Sequence, residues 1–147
     1  MTLRVALGVL ETSFERLRHC GAGERECVVV WTGPQAQPNY VDGVVQPKHT
    51  ATACLYDIDD TWIGEFWQKL AAEGRTVRAQ VHTHPRDAYH SPRDDVLSLV
   101  HLPGYISLVI PRFACGPVGL QGSYLTVRRE QGGWSQLNPT SALRFER

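Results

Sequence analysis

Two histidines stand one residue apart in Val81-His82-Thr83-His84-Pro85, at the end of an apolar run. Side chains on a strand alternate faces, so His82 and His84 project from the same side of an extended segment. Neutral imidazoles and a carboxylate are the usual protein ligands of a catalytic zinc, which keeps one position open for water. A few residues on, Ser91-Pro92-Arg93-Asp94-Asp95 offers that carboxylate from Asp94 or Asp95. The chemistry these types suggest is hydrolysis at a metal ion. Each piece also has a plainer explanation. Ser91-Pro92-Arg93-Asp94 is a good helix start, with Ser at the N-cap, Pro at the first helical position and an acid at the third. His-x-His on a strand also occurs without metal. The combination carries the metal reading, because a strand end and a helix start are rigid places from which ligands can be aimed.

The elements that must hold these residues follow from periodicity. Thr76 to Thr83 reads as the strand that delivers the histidines, and Ser91 opens a short helix through Val100. Residues Leu3 to Leu7 suggest a first strand. Leu10, Phe14 and Leu17 recur at helical spacing up to Gly21 and Gly23. Glu26-Cys27-Val28-Val29-Val30-Trp31-Thr32-Gly33 is an apolar run led by an acid, the pattern of a central strand covered on both faces. Val41 to Tyr56 suggests one or two strands with a bend near Pro47. The clearest helix is Ile58 to Gly74, where Ile58, Trp62, Phe66 and Leu70 form an i+4 stripe. Trp62 and Trp67 are expected in the core, and Asp57 and Asp60 at the cap and first turn. Tyr105 to Ile110 reads as a buried strand, and Val118 to Gln121 with Tyr124 to Val127 as an antiparallel pair. The polar segment from Glu130 is expected to close the edge.

Composition narrows the classes. The chain has 147 residues, enough for one domain with a core. Lys plus Arg and Asp plus Glu both number 15, so the formal charge is zero and no nucleic-acid footprint is expected. No apolar run reaches a membrane span and the N-terminus lacks a signal-peptide pattern, so no membrane association and a cytoplasmic location are expected. Cys20, Cys27, Cys54 and Cys115 lack close CxxC pairing and are expected as free thiols, with Cys27 and Cys54 buried.

His82-x-His84-Pro85 followed by Ser91-x-x-Asp94 resembles the signature of the JAMM (MPN-plus, JAB) metallopeptidases. In that family a glutamate on an earlier strand completes the motif. Glu26, with Gly33 seven residues on, is similar to it. The resemblance implies an α/β (α+β) fold: a single JAMM/MPN-like domain over residues 1–147, a curved mixed β-sheet flanked by helices, and the zinc site at a strand end and a helix start. It further implies that His82, His84 and Asp94 hold Zn2+. Glu26 then takes a proton from the attacking water and returns it to the leaving amine, and Ser91 hydrogen-bonds the oxyanion. Two positions stay open. Counting from Ser91 selects Asp94 and counting from His84 at the family distance selects Asp95, with Asp94 favoured because a helix-start serine and its third-position acid face one side. Glu24 lies two residues before Glu26, and its simpler reading is a solvated loop charge.

The resemblance implies an isopeptidase or peptidase that cleaves after the C-terminal glycine of a ubiquitin-like protein. The small size looks like bacterial members associated with ubiquitin-like modifiers and their activating and conjugating enzymes, including antiphage operons. Processing of a sulfur-carrier protein would use the same chemistry. A non-catalytic MPN scaffold is the alternative from another class, and such relatives typically lack the ligand set.

Overall fold

The computed structural model describes residues 2–146, apart from the side chain of Val96. The first half runs β1 (Leu3–Val5), α1 (Val9–Gly21), β2 (Val28–Pro34), β3 (Tyr40–Val41), β4 (Gly43–Val45), β5 (His49–Ala51) and β6 (Tyr56–Ile58). The second half runs α2 (Asp60–Glu73), β7 (Arg75–Thr83), α3 (Pro92–Val96), β8 (Ile106–Ile110), β9 (Tyr124–Arg128), β10 (Trp134–Leu137), α4 (Pro139–Ala142) and β11 (Leu143–Phe145). A six-stranded sheet has the order β10-β9-β8-β7-β2-β4. β7 and β8 pair in parallel and their neighbours antiparallel, so the sheet is mixed. A small parallel sheet β11-β1-β3 and a hairpin β5-β6 complete the fold.

Strand β2 explains the layering. Val29 and Trp31 pack with Phe14 and Leu17 of α1 on one face. Val30 meets Phe66 and Leu70 of α2 on the other, and Val28 meets Tyr56 and Ile58. Alternating side chains therefore each find an apolar cover, which is why the strand needs no polar face. Trp31 still satisfies its indole N–H, which donates to the Ser13 hydroxyl at 2.8 Å. Gly33 is required by close approach: a Cβ there would sit 1.9 Å from the Tyr40 carbonyl oxygen.

Several expected boundaries move. Ile58 closes β6, and α2 begins at Asp60 with Asp59 as its cap, accepting from the Trp62 N–H at 2.9 Å. Asp57 lies on β6 instead, because alternation there buries Tyr56 and Ile58 and turns Asp57 to solvent. Trp62 is half-buried, but Trp67 is exposed, since it leaves the Phe66–Leu70 stripe by about 100° per residue. α3 ends at Val96 rather than Val100, where the Ser98 hydroxyl donates to the Val100 carbonyl at 2.8 Å. Residues 118–121 form bends and the start of a turn, and the partner of β9 is β10, which lies within the polar segment after Glu130. The last strand, β11, closes the small sheet against β1.

The cysteines are the clearest correction. Cys20 and Cys27 are joined in a disulfide, and Cys54 is exposed. The end of α1 turns back at Ala22, in the left-handed conformation, and brings Cys20 onto the start of β2. A spacing of seven residues carries no recognisable disulfide signal, so only the tertiary turn reveals the pair. Cys27 is fully buried, as expected.

Candidate metal centre

The centre is built where β7 runs out of ladder. Val28 pairs with His82 across the antiparallel β2–β7 ladder. Two residues further along this register, Glu26 faces His84, and opposite residues share a face. The junction is tied on both sides: the Cys27 N–H donates to Thr83 Oγ1 at 3.1 Å, and the Thr83 N–H to the Cys27 carbonyl at 3.1 Å. The His84 N–H donates to the Ile110 carbonyl at 3.0 Å, holding that residue beside β8. The Glu26 N–H donates to the Thr52 carbonyl at 2.7 Å.

The carboxylate arrives from α3. Ser91 Oγ accepts from the Asp94 N–H at 3.1 Å, and Asp94 Oδ2 accepts from the Ser91 N–H at 2.7 Å, a reciprocal capping box. The plain helix-start explanation is therefore true, and it also serves the site by fixing the Asp94 carboxylate. Asp94 Oδ1 lies 3.0 Å from His82 Nε2, Asp94 Oδ2 lies 3.6 Å from His84 Nε2, and the two Nε2 atoms are 3.3 Å apart. A tetrahedral ion with bonds of about 2.0–2.1 Å spaces its ligand atoms by about 3.4 Å. His82, His84 and Asp94 are all buried. The Nε2 atoms of His82 and His84 are the ring nitrogens that converge, and the Nδ1 atoms of both find no hydrogen-bond partner among the described residues. Two neutral imidazoles and a carboxylate aimed at one buried point suit a borderline divalent cation such as zinc.

The two alternative carboxylates lie apart from this group. Asp95 is half-exposed and pairs with His90 Nε2 at 2.7 Å, away from this group. Glu24 is exposed in the turn after α1, whereas Glu26 is buried. His90 rests on Trp134, with ring centroids 4.8 Å apart. Arg86, Asp87 and His101 are exposed. A cleft of about 410 Å³ brings together Glu26, His84, Tyr89, Ser91 and Asp94, with the exposed Cys54 on its wall.

Burial and charge set the two carboxyls apart. Burial pushes the Glu26 carboxyl up to about 7, offset in part by His84. Burial also acts upward on Asp94, but hydrogen bonds from His82 and His84 and from the Ser91 N–H outweigh it and hold that carboxyl well below the usual range. Burial lowers the His82 imidazole, which favours the neutral, ligating form. Such a pair, one acid poised near neutrality and one kept ionised, divides proton transfer from charge binding.

Sequence reasoning missed the support behind the histidines. Gln80, on the same face of β7 two residues earlier, donates to the Tyr56 hydroxyl at 2.7 Å. Its carbonyl accepts from the Tyr105 hydroxyl at 2.7 Å and from the Leu99 N–H at 3.0 Å. The Tyr56 ring then packs on His82 at 5.3 Å, and Tyr89 meets His84 edge-on at 4.6 Å. A lone amide inside an apolar strand is the signal that could have exposed this network.

Comparison with known proteins follows the same lines. The chain is 28% identical over 123 residues to the probable metalloprotease y4jG of Sinorhizobium fredii, covering 79% of this chain and 75% of that protein. The solution structure of protein DSY2949 from Desulfitobacterium hafniense superposes with a TM-score of 0.67 at 12% identity, covering 99% of this chain and 93% of that one. The crystal structure of AF2198, a JAB1/MPN domain protein from Archaeoglobus fulgidus, gives 0.57 at 14% identity over 99% and 98%. These likenesses show the JAB1/MPN fold. No family model matches the chain.

Proposed function

We propose that this chain is a member of the JAMM/MPN family and a zinc-dependent peptidase that hydrolyses the bond after the C-terminal glycine of a ubiquitin-like protein. The observation that carries the reading is the convergence of His82 Nε2, His84 Nε2 and Asp94 at one buried point, with Glu26 on the facing strand. The metalloprotease name of the Sinorhizobium relative supports the peptidase class.

A divalent cation held there supplies a Lewis acid that polarises the scissile carbonyl and makes water a nucleophile near neutral pH. Glu26, raised by burial, accepts the water's proton and returns it to the departing amine. Ser91 Oγ accepts from the Asp94 N–H, so its own proton remains available to an oxyanion. The ubiquitin-like substrate is supported by shape. Among the described residues β5 pairs only with β6, so the hairpin offers an unpaired strand edge, and its turn borders the cleft, where Thr52 receives the Glu26 N–H and Cys54 stands on the wall. An extended tail adds to such an edge through main-chain hydrogen bonds. We place the activity in a bacterial ubiquitin-like conjugation system of the antiphage kind, alongside its activating and conjugating enzymes.

Metal analysis of the purified chain, with a cleavage assay on a fusion carrying a ubiquitin-like C-terminal tail, tests the proposal. Bound zinc and cleavage lost on chelation are expected. A metal-free chain that leaves the fusion intact overturns it. Removal of the tail's last residues should abolish cleavage, and unchanged cleavage would reject the docking mode.

A further inference from the structure

A second group of ligand-type side chains stands at the other face of the β2 start. Cys27 follows Glu26 and packs toward α1, where it is disulfide-bonded to Cys20. Cys27 is fully buried, and Cys20, in the last turn of α1, is half-buried. His49 on β5 brings Nε2 to 3.3 Å from Cys20 Sγ, and its Nδ1 lies 2.8 Å from the Pro47 carbonyl. A carbonyl only accepts, so Nδ1 carries the proton and Nε2 turns its lone pair toward the sulfur.

We propose that Cys20, Cys27 and His49 form a reversible redox site in which a hydroperoxide oxidises Cys20 and Cys27 resolves it. Redox-active thiols are accessible, have a means of becoming thiolate and stand next to a resolving cysteine. Cys20 meets all three conditions. Cys54 and Cys115 are more exposed, yet neither has an imidazole at its sulfur among the described residues. In the reduced chain the Cys20 proton passes to His49 Nε2. The thiolate attacks the terminal peroxide oxygen, the O–O bond breaks, and the departing oxygen takes the proton from His49 to leave as water or an alcohol. The Cys27 sulfur then attacks the sulfenic acid at Cys20. The S–O bond breaks, hydroxide leaves with the Cys27 proton as water, and the disulfide seen here forms. The peroxide gains two electrons and the two sulfurs lose them, and a dithiol reductant reverses the change. A loop of seven residues constrains less unfolded-chain entropy than a longer one would, which suits a bond that opens. A metal at this group is disfavoured because the two sulfurs are bonded to each other and no fourth donor joins them among the described residues.

The full chain is reduced with a dithiol, freed of it and exposed to hydrogen peroxide, and cysteine states are followed by alkylation and mass spectrometry. The Cys20–Cys27 bond should form while Cys54 and Cys115 still alkylate. Cys27→Ser should trap a dimedone adduct at Cys20, and His49→Gln should slow oxidation of Cys20 by about tenfold or more. Oxidation of Cys54 or Cys115 as fast as Cys20 overturns the proposal, as does an unchanged rate in His49→Gln. Uptake of a second zinc by the reduced pair, with protection from peroxide, also overturns it. None of these readouts depends on peptidase activity.

Discussion

Among the described residues, two histidine-bearing clusters use the imidazole in opposite ways. At the end of β7, His82 and His84 have no partner for Nδ1 among the described residues and turn both Nε2 atoms to a buried carboxylate. On the β5–β6 hairpin, His49 anchors Nδ1 to a carbonyl and presents Nε2 to a half-buried sulfur. The first cluster takes its histidines from the end of β7, a strand with neighbours on both sides, and its carboxylate from α3. The second takes His49 from a two-stranded hairpin and its sulfurs from the last turn of α1 and the start of β2. Residue type proposes a role, while burial and the partner of each ring nitrogen decide it: cation binding in a desolvated centre, proton exchange at an accessible one.

The strongest way to break this contrast is to remove the carboxylate. Asp94→Ala should lose bound metal and all turnover, whereas Asp95→Ala should keep both, as metal analysis and the fusion assay will show; the opposite pattern would move the ligand to Asp95. Next, Glu26→Gln should retain metal and slow turnover by ~10²–10⁴. Loss of metal together with turnover would make Glu26 a ligand instead of a base. Ser91→Ala should slow turnover by ~10²–10³ through the oxyanion donor and cost about 1 kcal/mol of stability through the lost cap. Thermal melts separate the two effects.

A smaller effect sharpens the electrostatic side. Without metal, the folded chain holds the Glu26 proton up to about pH 7, against an ordinary 4.5. The unfolded chain releases that proton earlier, so this acid lowers stability as pH rises from 4.5 to about 7, by on the order of 2 kcal/mol. His82 works the other way, because burial disfavours its charge and stability is lost as pH falls. The measurement is therefore the difference in melting between the parent and Glu26→Gln at pH 5 and pH 8. The glutamine chain should gain relative stability at pH 8, and equal slopes would refute a buried, neutral Glu26. Turnover needs Glu26 ionised and should fall with acidification; a bound dication moves that fall to lower pH. The smallest expected effect is at the second cluster, where His49→Gln should change neither metal content nor turnover.

Much of this organisation was legible in the chain itself. The unbroken apolar run of β2 announced a strand covered on both faces, and alternation along β7 put His82 and His84 on one side. The Ser91-Pro92-Arg93-Asp94 helix start was readable because capping is local: its donors and acceptors lie within four residues. What the sequence could not determine was anything dependent on long-range closure. Whether Glu24 or Glu26 faced His84 required the β2–β7 register, and Asp94 parted from Asp95 only when α3 docked its capped face on the strand end. Gln80, Tyr56, Tyr105 and Leu99 are scattered along the chain and became one network only by burial. Cys20 met Cys27 through a left-handed turn that no spacing rule anticipates. Local propensity and alternation set the elements and the chemical inventory; packing chose which atoms share a space, because contact and desolvation exist only in the folded chain.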